Sequence, residues 1–113
     1  MDTISTEALR KKIEHGDDFA LVEVLPPEQY EEYHLPGAIN IPLGDDFENK
    51  AERALSDKNQ EIVVYCSDQN CSASPAAADK LRRLGYRRVL AYQLGKRDWR
   101  RTSSHADSSQ MRA

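Results

Sequence analysis

The stretch Glu61-Ile62-Val63-Val64-Tyr65-Cys66 constrains this chain more than any other. Ile62, Val63 and Val64 are β-branched and favour an extended backbone. Successive side chains of a strand point to opposite faces, so an apolar run of this kind must be covered on both. Strands buried on both faces belong to parallel sheets flanked by helices. The rest of the chain supplies helices in alternation. Ser5 or Thr6 can cap a helix that carries Ala8, Leu9 and Ile13 and stops at Gly16. Phe19 to Val24 is a mostly apolar strand, and Pro26-Pro27 open a short acidic helix, PEQYEEY. His34-Leu35-Pro36-Gly37 is a turn, Ala38 to Ile41 a short strand, and 45–55 helical. A helix is predicted around Pro75 to Leu84, with Ser74 as N-cap, Pro75 at its first position and Gly85 closing it. Arg87 to Tyr92 is the last strand, and 96–101 adds a helical turn. Strands alternating with helices imply βαβ units, right-handed crossovers and a mainly parallel sheet. In such sheets ligands bind beyond the carboxyl ends of the strands, where Cys66 stands.

A chain of 113 residues is one domain. Leu, Ile, Val and Phe are absent from 101–113, so the folded domain is expected over 1–101 and a loose polar tail over 102–113. No apolar run approaches the ~18 residues of a membrane span. The first residues lack the apolar core of a secretion signal, and free thiols suit a reducing cytoplasm, which is the expected location. Two cysteines cannot build a disulfide framework or a four-thiolate zinc site. Charge is uneven: residues 1–61 hold 6 basic and 15 acidic groups, residues 62–113 hold 10 and 4. The basic second half suits small anions or an acidic partner. A pI of 5.6 with no recognition motif argues against nucleic acid.

Cys66 ends a buried strand and is followed by Ser67-Asp68-Gln69-Asn70-Cys71-Ser72 and a helix N-terminus. If this loop curls, its N–H groups converge into an anion cradle. A thiolate is an anion, so the cradle is expected to lower the pKa of Cys66 and activate it as a nucleophile. Alone, such a cysteine is more often a small buried hydrophobe.

With these residues assembled, the sequence resembles the single-domain rhodanese-like sulfurtransferases over roughly 3–99. The resemblance is carried by LVEVLPPEQYEEYHLPGAINIPL at 21–43, IVVYC at 62–66 and LRRLGYRRVLAYQLGKRDW at 81–99. It implies a three-layer α/β fold with a mainly parallel central sheet of about five strands flanked by helices. It further implies that Cys66 takes a sulfane sulfur from thiosulfate or a persulfide and passes it to a thiol, cyanide or a sulfur-accepting protein. No metal or organic cofactor is implied. His34 falls in the structural turn.

The chain departs from the family pattern at the loop. The arginine often found five residues after the cysteine is Cys71 here. Loss of that guanidinium weakens binding of an anionic donor, with Lys96 and Arg97 as candidate replacements. Glu23 and Leu25 replace an aspartate and an arginine of the family. Cys71 is a candidate resolving thiol, able to attack a persulfide or sulfenic acid on Cys66. Two alternatives stand beside sulfur transfer. A phosphatase-type loop needs an arginine six residues after the cysteine, and Ser72 occupies that position. A non-enzymatic binding or redox-regulatory module built on the Cys66/Cys71 pair is the stronger competitor.

Overall fold

The computed structural model describes residues 2–102. Its elements run α1 (Thr6–His15), β1 (Phe19–Glu23), α2 (Pro27–Glu32), β2 (Ile39–Asn40), α3 (Phe47–Ala54), β3 (Glu61–Tyr65), α4 (Ala73–Arg83) and β4 (Arg88–Tyr92). A fifth helix, α5, spans 95–102 and ends where the described residues end. The tail expected beyond it, with His105, lies outside the described residues. The sheet is parallel throughout, in the order β2-β1-β3-β4. Four strands form it, against about five expected. The nearest to a fifth is a single bridge from Thr3 to Ala91 at the β4 edge.

β3 is central, as its composition demands, with Leu21 beside Val63 on one flank and Val63 beside Leu90 on the other. Its side chains divide the core in two. Ile62, Val64 and Cys66 face Phe47, Ala51 and Leu55 of the α3 segment and Ala77, Ala78 and Leu81 of α4. Val63 and Tyr65 face Leu9 of α1, Leu35, Tyr92 and Trp99 of α5. Each such aliphatic side chain, fully buried, contributes about 1.5–3 kcal/mol. The result is three layers.

The helix ends follow the sequence closely at α1. Ser5 Oγ accepts the Ala8 N–H, and Gly16 closes the helix in the left-handed region at φ 67°. α4 departs from expectation, beginning at Ala73 rather than Pro75. Ala76 N–H already reaches the Ser72 carbonyl at 3.2 Å. Pro75 is tolerated there because the N–H groups of a first turn have no intrahelical acceptor. Ser74 is therefore inside the helix and fully buried, not its cap. His34 stacks on Tyr30 with ring centroids 3.9 Å apart, a structural role in the turn after α2.

Candidate active site at the end of the central strand

The loop after Cys66 is curled by Asp68. Its carbonyl accepts the Cys71 N–H at 3.1 Å, and its carboxylate accepts the Asn70 N–H at 2.9 Å. This turn brings Cys71 back over Cys66. The Cys66 thiol donates towards the Cys71 carbonyl, with Sγ 3.6 Å from the oxygen, so the two cysteines share one site. Gln69, Asn70 and Ser72 are exposed, whereas Ser67, Asp68 and Cys71 are partly buried against the site.

The donors of the cradle are divided between the thiols, and the division corrects the expected electrostatics. Cys66 is 0% exposed, and burial pushes its thiol up to about 11, with the Cys71 sulfur adding to the rise. The Ser74 hydroxyl and N–H oppose that rise without cancelling it. Cys71 is only partly buried. Desolvation pushes it up as well, but the Cys66 thiol, the N–H groups of Ala73 and Ser67 and the Ser67 hydroxyl together hold it below the usual thiol range. Of the pair, Cys71 therefore gives up its proton more readily than Cys66. The expectation failed because Cys66 continues the strand into the α3–α4 core, while the Ser67 and Ala73 N–H groups serve the sulfur above it and those of Asn70 and Cys71 are taken up by Asp68.

The first turn of α5 fixes the start of the loop. Lys96 N–H donates to the Cys66 carbonyl at 3.0 Å and Arg97 N–H to the Ser67 carbonyl at 2.9 Å. In a trans peptide the C=O and the following N–H point in opposite directions. Holding the Cys66 carbonyl against α5 thus aims the Ser67 N–H away from it, towards Cys71. Gly95 makes this approach feasible: a Cβ there would sit 2.5 Å from the Cys66 carbonyl oxygen.

Lys96 and Arg97 have different surroundings. The Lys96 ammonium lies 2.7 Å from Glu23 Oε2 and donates to the Gln29 carbonyl at 2.8 Å. Glu23 Oε1 accepts the Tyr65 hydroxyl at 2.8 Å, and that hydroxyl accepts the Leu35 N–H at 3.1 Å. Lys96 is thus committed to a buried network joining β1, β3, α2 and α5. Arg97 is exposed, and its side chain has no hydrogen-bond or ion-pair partner among the described residues. It borders a cleft of about 550 Å³ beside the loop, with Leu25, Tyr33, Ser67, Lys96 and Arg100. It also borders a second hollow of about 290 Å³ lined by Asp68, Gln69 and Asn70. Ser74, Glu23 and Gly95 are the site residues that sequence reasoning placed elsewhere or left without a role. A carboxylate inside the apolar run Phe19 to Val24 was the available signal for a buried network.

The rhodanese-like domain family matches residues 5–102. The chain belongs to that family. A putative sulfur carrier protein of Bacillus subtilis, YrkF, is 32% identical over 96 residues, covering 85% of this chain and 49% of the relative. An HTH-type transcriptional regulator of Mycobacterium tuberculosis, Rv0324, is 35% identical over 88% of this chain and 42% of its own. The chain thus spans about half of these two relatives or less. The thiosulfate sulfurtransferase PspE of Escherichia coli is 38% identical over 68 residues, 60% of this chain and 62% of the relative. Among solved structures, the BH2092 protein of Bacillus halodurans superposes with a TM-score of 0.80 at 28% identity, over 90% of this chain and 73% of that one. Relatives within the family are thus named for sulfur transfer, for sulfur carriage and for regulation. No helix among the described residues is long and apolar enough to cross a membrane.

Proposed function

We propose that this rhodanese-like domain is a cytoplasmic sulfurtransferase that carries a sulfane sulfur as a persulfide on Cys66. The observation that supports this most directly is the seating of Cys66 Sγ 3.6 Å from the Cys71 carbonyl oxygen, which puts the second thiol next to the buried one as its proton acceptor. Two coupled thiols lose their protons as a pair, and the single charge can pass from one sulfur to the other. With the proton on Cys71, the Cys66 thiolate attacks the sulfane sulfur of thiosulfate. The S–S bond of the donor breaks, and sulfite leaves with the electron pair. A thiol or cyanide then attacks the outer sulfur and regenerates Cys66. A sulfur-accepting protein is a further acceptor class, in keeping with a relative named as a putative sulfur carrier. Arg97 is the residue placed to attract an anionic donor along the cleft that Ser67 also lines. Because Cys66 is sealed at rest, loading requires the 67–71 loop to move aside.

The second reading, a non-enzymatic binding or redox-regulatory module, is favoured by that same sealing and by the absence of a loop arginine. Intact mass after incubation with thiosulfate, polysulfide and a low-molecular-weight persulfide separates the two. Sulfur transfer predicts a gain of one sulfur that vanishes in Cys66→Ser, together with thiosulfate-to-cyanide turnover reduced at least about a hundredfold in that variant. Failure of every donor to add sulfur would leave the binding module.

A further inference from the structure

Building on the sulfur-transfer reading, we propose that Cys71 is a resolving thiol and gives this domain a second activity: discharge of the Cys66 persulfide as sulfide, leaving a Cys66–Cys71 disulfide. Three observations converge on it. Cys66 Sγ lies 3.6 Å from the Cys71 carbonyl oxygen, so once the loop has closed again a persulfide on Cys66 has its inner sulfur beside residue 71. Cys66 is wholly buried, whereas Cys71 is partly exposed, so dissolved thiols meet Cys71 first. The N–H groups of Ser67 and Ala73 and the Ser67 hydroxyl favour the thiolate of Cys71, the form that attacks. A nucleophile held in the same site competes with dissolved thiols at effective concentrations that reach about 10⁵ M in well-aligned cases.

The chemistry balances without an outside oxidant. The Cys71 thiolate attacks the inner sulfur of the persulfide, forming the Cys66–Cys71 bond. The bond between inner and outer sulfur breaks, and the outer sulfur leaves with the electron pair as hydrosulfide. The two thiols are oxidised by two electrons, and the sulfane sulfur is reduced by the same two. Two equivalents of a low-molecular-weight thiol then restore the dithiol and leave as their own disulfide. Attack by an outside acceptor on the outer sulfur gives transfer; attack by Cys71 on the inner sulfur gives sulfide. Where the family often has a guanidinium to bind the donor, this chain has a second sulfur nucleophile.

The test compares the whole chain with Cys71→Ser under anaerobic incubation with excess thiosulfate, followed by donor removal. Sulfite, sulfide and intact mass are measured. The proposal expects wild type to release sulfite and sulfide in equal amounts and to lose the mass of two hydrogens, which dithiothreitol restores. Cys71→Ser lacks the proton acceptor assigned to the loading step and should load more slowly, but at its end point it should have released sulfite alone and gained one sulfur. If wild type releases sulfite, keeps the added sulfur and yields no sulfide, Cys71 does not resolve the persulfide, and the transfer reading stands without it. If neither protein releases sulfite or gains sulfur, with polysulfide tried in place of thiosulfate, the transfer reading fails and takes this inference with it.

Discussion

Cys66 and Cys71 illustrate how a difference of burial decides which of two identical groups carries charge. Burial is the largest influence raising Cys66, and the neighbouring Cys71 sulfur is the next. Cys71→Ser removes the second influence and leaves the first. The Cys66 pKa should therefore fall from about 11 while remaining above the ordinary thiol value of 9.0. In wild type, iodoacetamide should label Cys71 first, with a pH midpoint below 9.0, and Cys66 only at higher pH. Rates of alkylation followed by peptide mass across pH 6–11 check both directions; an unmoved Cys66 profile in the variant would show the thiols to be independent. The sequence made Cys66 legible as the thiol at a strand end, because EIVVY leaves no other register for it. It did not disclose the ionisation of the pair. That depends on where each loop N–H points, which the Asp68 turn and the early start of α4 determine and local residue preferences do not.

The first turn of α5 acts as a clamp on the end of β3. Gly95 has φ 68°, and any Cβ there would press on the Cys66 carbonyl oxygen and on the Ser67 carbonyl. Gly95→Ala is thus strained in backbone and blocked by backbone atoms that cannot rotate away. A loss of about 1–3 kcal/mol is expected, as for other substitutions that overpack a well-filled site. Urea unfolding measures it, and sulfur loading of Cys66 should slow in parallel because the Ser67 peptide is displaced. Lys96→Met tests the same clamp from the other side. It leaves the Glu23 carboxylate 0% exposed without its cation, and breaking a buried pair in this way costs about 3–5 kcal/mol. A urea midpoint equal to wild type in Lys96→Met would show that water replaces the ammonium at Glu23. At this scale the sequence was informative for elements with local punctuation, such as Ser5 and Gly16 around α1. It misplaced the start of α4, since Ser74-Pro75 reads as a cap and first position unless the preceding loop is known to close on Asp68. The assignment of Lys96 to donor binding likewise read a cation near the loop without its partner, because the Glu23–Lys96 pairing joins residues far apart in sequence.

The whole molecule is closed by contacts between its first and last described helices. Tyr92 of β4 donates its hydroxyl to Thr6 Oγ1, and Thr6 in turn donates to Asp98 of α5. Arg10 lies over the Trp99 ring at 4.2 Å and donates to Thr102, so α1, β4 and α5 are fastened on one face of the sheet. The alternation of elements made the parallel sheet and its two covering layers legible in advance. It did not reveal this closure, which joins polar residues more than eighty positions apart. The closure has a pH signature. The Thr6 hydroxyl, and after it the Arg101 guanidinium, hold the Asp98 carboxyl below the ordinary value of 3.8. A carboxylate whose folded pKa is depressed adds stability above its unfolded pKa and loses it as pH falls through the folded one. Wild type should therefore be more stable than Asp98→Asn at pH 6. The gap should narrow below about pH 4, as the unfolded carboxyl begins to bind its proton, and close below the folded pKa. Urea midpoints of both proteins from pH 6 down to pH 2.5 measure this, and a gap that stays constant over that range would show that the ionised form of Asp98 does not hold the first and last helices together.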